Sequence, residues 1–315
     1  MSFDDAYGAL TDHDDDARWA YGTGFADPLA GVPTAFSPAA DRPALASYCL
    51  MLGDDALIMS HRLQEWVTRA PELEDEVAIA NIALDLLGQA RLLLTRAGEA
   101  LGDGNEDALA YGRGPAEFRN VQLAERADPD FAHLVARLLA FSTWRLAVLD
   151  RLRDADDPVL AAVAAKAVKE LTYHREYAAQ WVIRLGDGTD LSRERMQSAV
   201  DALWPLLAEL DHEPSPLAPK DWRPEFDAVM AHVLSTATLT APAPVDNVAE
   251  PSDPSATFSP TQRGGGGGGA RETELDLEAP ASSAPTGRDG VHTPALAEVL
   301  DEMQSLARSV PGGVW

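Results

Sequence analysis

An all-helical bundle is the fold this sequence predicts, and three observations predict it. Apolar residues recur at helical spacing through long stretches between residues 43 and 240. No stretch shows sustained strand alternation. Connections between the helical stretches are short, apart from a long Gly- and Pro-containing one after the second. Together these describe a bundle whose middle connection runs the length of the barrel.

The elements follow in order. Residues 1–42 carry scattered Gly, Pro and Asp without a period and read as an acidic, largely disordered extension. Asp4, Asp5, Asp12, Asp14, Asp15 and Asp16 crowd its start. The bundle itself spans 43–240. Its first helix covers Ala44 to Thr68. Pro71, with Glu72, Glu74, Asp75 and Glu76 placed where the helix dipole favours acids, opens a second that runs to about Gly98. Gly102, Gly104, Gly112, Gly114, Pro115 and Pro129 mark 102–129 as a long crossover and a candidate functional loop.

A third helix, about Pro129 to Asp154, carries Phe131, Leu134, Leu138, Phe141, Trp144, Leu146 and Leu149. The fourth begins near Asp157 with Pro158 in its first turn and stops at the GDG of 186–188. Two more follow: 192–210, with Ser192 as N-cap, and about 221–240. Residues 241–288, including the GGGGGG of 264–269, have the composition of a flexible linker. In 289–315 the residues Leu296, Val299, Leu300, Met303 and Leu306 share one helical face, which predicts a tethered C-terminal helix packing back on the bundle.

Charge and cysteine content narrow the function. With Lys+Arg 25 against Asp+Glu 51 the formal net charge is −26, which repels phosphate backbones and anionic lipid, so neither nucleic acid nor a membrane is expected as a partner. Cys49 is the one cysteine, so the chain makes no internal disulfide and no thiolate metal cluster. No secretion signal or bilayer-spanning run is visible, and a cytoplasmic location is the expectation.

The chemistry question centres on NIALDLLGQAR, residues 81–91. Asn81, Asp85 and Gln89 fall at i, i+4 and i+8 and form a polar stripe on an otherwise apolar helix. In bundles built around two metal ions, two helices each give a Glu and the other two each give Glu-x-x-His. Asp85 stands where such a motif begins, but three residues on is Gly88, and Gln89 is a poor iron ligand. In KELTYH, Lys169 and Glu170 are followed by Tyr173 at i+3 from the carboxylate, and His174 lies one position later. His61 and Glu65 complete the candidates on the first helix, and the third offers no acid between Phe131 and Leu149. The full ligand set is absent. The expectation is a degenerate metal site, with these nine residues forming a buried polar network and no metal. On the crossover, Glu117, Phe118, Arg119 and Asn120 offer either an exposed Phe–Arg patch for an anionic, partly aromatic ligand or a loop pinned by Phe118.

Three segments resemble a known family. LGDDALIMSHRLQEWVTRAPELEDEVAIANIALDLLGQAR, KAVKELTYHREYAAQWVIRLGDGTD and GVHTPALAEVLDEMQSLARSVPGGVW are similar to the C-subunit family of the phenylacetyl-CoA epoxidase (ring 1,2-monooxygenase) complex, over about 45–240 and 288–315. The resemblance implies a ferritin-like helical bundle that acts as a structural, non-catalytic subunit beside a homologous di-iron A subunit in aerobic phenylacetate degradation. It implies NADPH, FAD and a 2Fe-2S centre in a separate reductase subunit, and no cofactor in this chain. It also implies that Glu117, Phe118, Arg119 and Asn120 lie near the coenzyme A thioester. The acidic extension and the glycine-rich insert depart from the family pattern, and the connection at 211–222 is shorter. Two rivals remain: a di-iron oxygenase using Asp85, Glu170, His174, His61 and Glu65 as irregular ligands, and an iron-storage ferritin.

Overall fold

The computed structural model describes residues 29–102, 104–242 and 285–310. The acidic run at 4–16, the glycine tract and residues 311–315 lie outside them. Among the described residues there are helices and no strands, which is the all-α architecture the periodicity predicts.

Helix α1, Arg42–Gln64, starts where the Asp41 carboxylate accepts the Ala44 N–H at 3.0 Å and Pro43 fits the first turn. It is buried on nearly all sides, through Tyr48, Leu52, Ile58 and Met59 but also Asp54 and Asp55. It stops at Gln64, four residues before the expected end. The following residues coil into tighter turns that swing Trp66 into the core beside Phe131, with ring centroids 6.1 Å apart. Helix α2, Leu73–Leu101, begins after Glu72, so Pro71 lies outside it. Gly102, at φ +76°, ends it in the left-handed conformation that glycine adopts without strain.

The connection from α2 to the next long helix holds α3 (Glu106–Tyr111), a 3₁₀ turn at Pro115–Glu117 and α4 (Gln122–Glu125). Helix α5, Phe131–Arg151, is capped by Asp130 and continues as a 3₁₀ turn, Leu152–Asp154. Helix α6, Pro158–Gly186, is capped by Asp157 on the Leu160 N–H. Helix α7 is Asp190–Leu203, and its cap is Thr189, whose hydroxyl accepts the Ser192 N–H; the expected cap Ser192 is already inside the helix. The expected single helix to 210 changes at Pro205, which has no N–H to give, and Trp204–Asp211 tightens to 3₁₀. Helix α8 is Arg223–Thr236, and Thr238, at φ +58°, reverses the chain after it. A 3₁₀ turn at Gly287–Asp289 leads into α9, Pro294–Ser309.

The antiparallel pairs α1–α2 and α5–α6 make the most extensive helix contacts, and α2 meets α6 between them. Helix α9 lies against α1, α3, α4 and the Pro115–Glu117 turn. Two stretches, Leu73–Leu101 and Phe131–Asp154, are long and apolar enough to cross a membrane. The second is almost wholly buried in this bundle, as a core helix is, whereas 44% of the most apolar part of α2 is buried. Leu73, Val77 and Leu84 stand exposed along α2.

Candidate functional site

The polar stripe of α2 does not stay on one side of the wall. Each four-residue step on a helix advances about 40° beyond a full turn, so Asn81 is exposed, Asp85 is half-buried and Gln89 is 1% exposed. Asn81 therefore drops out of the interior network.

Facing it, α6 sorts its residues by the same geometry. His174 lies four residues after Glu170 and shares its inward face, fully buried, while Tyr173 is turned outward and is 51% exposed. The sequence expectation that i+3 is the inward position is corrected here, because at this point the face of α6 toward α2 follows the i, i+4 row. Lys169 likewise points to solvent; the ammonium that pairs with Glu170 belongs to Lys166, one turn earlier on the inward row.

These side chains form a chain of hydrogen bonds across three helices. Lys166 bonds Glu170 Oε1, Gln89 Nε2 donates to Glu170 Oε2 at 3.0 Å, and Arg145 Nε of α5 donates to Gln89 Oε1 at 3.0 Å. Arg145 Nη1 donates further to the Leu52 carbonyl of α1 at 3.1 Å. Its guanidinium is fully buried, which pushes its pKa down to about 10, against a nearby Asp55 that raises it. A separate bond joins His174 Nε2 to Asp85 Oδ2 at 3.0 Å. His61 and Glu65 stand apart. Glu65 accepts from Arg62 at 2.6 Å, and burial holds the His61 imidazole pKa below its ordinary value, with Glu302 of α9 acting against that.

A pair of iron ions does not fit this arrangement. Both oxygens of Glu170 are taken by an ammonium and an amide, and a buried guanidinium stands on the other side of Gln89. The buried guanidinium opposes a divalent ion where carboxylates would have to attract it, and the Lys166 ammonium, whose side chain is 37% exposed, competes for Glu170. Among the described residues no three His, Cys, Asp or Glu side chains converge as a metal requires.

The crossover loop is also differently built from its exposed reading. Phe118 is 0% exposed, under the Arg113 guanidinium at 4.2 Å from its ring centroid, and Asn120 is equally buried. Asn120 Nδ2 donates to Glu125 Oε2 at 2.9 Å and to the Val121 carbonyl at 3.1 Å. Glu117 accepts the Gly114 N–H at 2.8 Å, closing its own turn, and Arg119 Nη1 donates to the Ala116 and Phe118 carbonyls. Phe118 pins the loop, because its ring fills the apolar space under Arg113 and leaves no aromatic surface for a ligand.

What sequence reading missed is a second buried network beneath this loop. Arg113 forks onto Asp54, whose other partner is the Arg119 N–H at 2.9 Å. Arg288 forks onto Asp55 at 3.0 and 2.9 Å, and Asp55 also accepts the Val121 N–H at 2.9 Å. Glu209 accepts the N–H groups of Gln122 and Gly287, both at 2.7 Å. Burial pushes its carboxyl up to about 7, against those two bonds and Arg288. The signal for these residues was present: Asp54, Asp55 and Arg145 are charged residues inside apolar helical runs, where a charge is seldom buried without a partner.

The phenylacetic acid catabolic protein family matches residues 30–250. The C subunit of the 1,2-phenylacetyl-CoA epoxidase of Escherichia coli (strain K12) is 38% identical over 271 residues, spanning 86% of this chain and 99% of that protein. The chain belongs to the phenylacetic acid catabolic protein family. The all-helical bundle is of the ferritin-like kind.

Proposed function

We propose that this chain is a non-catalytic, structural subunit of a cytoplasmic multicomponent phenylacetyl-CoA 1,2-epoxidase, pairing with a homologous di-iron A subunit. The observation that carries the reading is the buried Arg145 guanidinium in the bundle centre, linked through Gln89 to Glu170, whose other oxygen takes the part-exposed Lys166 ammonium. A buried guanidinium in that place repels a divalent ion, and among the described residues no three His, Cys, Asp or Glu side chains converge to hold one and activate dioxygen. On this reading the iron belongs to the A subunit, and NADPH, FAD and a 2Fe-2S centre belong to a reductase subunit. Phenylacetyl-CoA is then oxidised by the partner.

A surface for pairing is available on α2. Leu73, Val77 and Leu84 expose apolar side chains, and a Cβ added at Gly88 would meet nothing within 4 Å. Exposed apolar residues in a row on one helix fit a helix-on-helix interface. Mixing the purified chain with the A subunit should give one defined complex by sedimentation. Leu84→Asp should weaken it about tenfold or more while leaving the chain's own stability within about 0.5 kcal/mol. A stable monomer that ignores the A subunit overturns the proposal.

A further inference from the structure

The segment 285–310 reaches the bundle through a set of polar contacts that converge on one histidine. Its side chain, His292, is 4% exposed. Nδ1 lies 2.7 Å from Glu125 Oε2, and Nε2 lies 3.1 Å from the Phe118 carbonyl oxygen. A carbonyl oxygen can only accept. As a carboxylate Glu125 only accepts, its Oε2 taking the Asn120 amide at 2.9 Å and its Oε1 the Thr293 N–H at 2.6 Å. A neutral imidazole has one N–H and one bare nitrogen, and here a bare nitrogen would face an oxygen lone pair. Both ring nitrogens therefore have to carry hydrogen.

We propose that the C-terminal segment is a proton-latched strap, docked most tightly over the 114–125 loop while His292 is an imidazolium. The groups facing His292 come from every element packed there. Glu125 of α4 and Glu209 of the Trp204–Asp211 turn favour the cation, and the Phe118 carbonyl accepts from it. Arg62 of α1 opposes it, donating to the Glu125 backbone carbonyl at 2.8 Å, but shares its own charge with Glu65. Arg288 is matched by Asp55.

The rest of the strap is fitted closely enough to sense the loss of that contact. A Cβ at Gly287 would stand 2.0 Å from the Asn120 carbonyl oxygen, and one at Gly290 would stand 2.4 Å from that of Ala116. Gln122 donates to the Val291 carbonyl at 2.9 Å, and Arg62 donates to that of Ala295 at 2.8 Å. Farther along, Gln304 holds the Ala110 and Arg113 carbonyls at 2.8 and 3.1 Å. Losing one donor at His292 leaves two buried acceptors competing for a single N–H beside these contacts.

The sign of the pH dependence follows. Burial alone would lower the His292 pKa, but the bonds to Glu125 and Phe118 bring it above the ordinary imidazole value. The docked strap thus binds the proton more tightly than the free one. Docking is strongest below the ordinary imidazole pKa and weakens as pH rises through the raised one.

Two measurements on the full chain test this. In ring-¹⁵N-labelled protein, His292 should show two protonated nitrogens at pH 6 with the strap docked. Amide hydrogen exchange of residues 286–309, corrected for intrinsic rates, should lose protection by up to about tenfold per pH unit between the ordinary imidazole pKa and the raised one. In His292→Gln that loss should be absent, and in Glu209→Gln it should persist. A bare ring nitrogen in the docked state, or the same pH slope in wild type and His292→Gln, overturns the proposal.

Discussion

Arg288→Met tests how the C-terminal segment is held. The guanidinium and the Asp55 carboxylate are 1% and 0% exposed, and two bonds of 3.0 and 2.9 Å join them. Burial alone would lower the Arg288 pKa, yet Asp55 and Glu213 hold it above its ordinary value, so the cation is strongly favoured in place. Removing it leaves Asp55 inside the bundle with the Val121 N–H as its remaining hydrogen-bond donor. Two bonds to charged groups contribute about 1.5–3 kcal/mol each, and breaking one side of a buried pair costs about 3–5 kcal/mol. The two routes agree on about 4 kcal/mol, which for a chain of this size is a fall in Tm of about 8–16 °C. Urea titration followed by circular dichroism measures it. Adding Asp55→Leu to Arg288→Met should recover more than half of the loss, since the stranded charge is then gone. A single-variant cost below about 1 kcal/mol, the size of an exposed pair, would refute the reasoning.

Other predictions follow from the same geometry. Gln89→Leu should destabilise the bundle by about 3 kcal/mol, because it strands Arg145 Nε and Glu170 Oε2 together; thermal unfolding checks it. Lys169→Ala should change stability by less than about 0.5 kcal/mol, being an exposed side chain, whereas Lys166→Ala should cost measurably more under the same titration. Gly290→Ala forces a side chain into φ +79° and against the Ala116 carbonyl. It should open the strap at a cost of about 2 kcal/mol or more, seen as faster proteolysis after residue 285.

The helices were legible in the sequence because their apolar rows are long and regular, as in α5 and α6. Their ends were less so: Trp66 turns inward and ends α1 early, and Pro205 tightens the chain after α7. Asp85, Gln89, Glu170 and His174 were readable as a group because they sit at helical spacings. Asn81, Lys169 and Tyr173 were not separable from them, since that needs the direction each wall faces, which only packing fixes. Arg145 and Arg288 were missed because their partners lie 56 and 233 residues away in the chain. No local spacing rule reaches so far.

The most direct test of the central claim is the iron content of the chain purified alone, after anaerobic loading with ferrous iron and removal of loosely bound metal. Iron near zero per chain is the result expected of a bundle whose centre is held by the buried Arg145 guanidinium. About two irons per chain, the complement of a di-iron site, would contradict it and make this chain an oxygenase candidate in its own right.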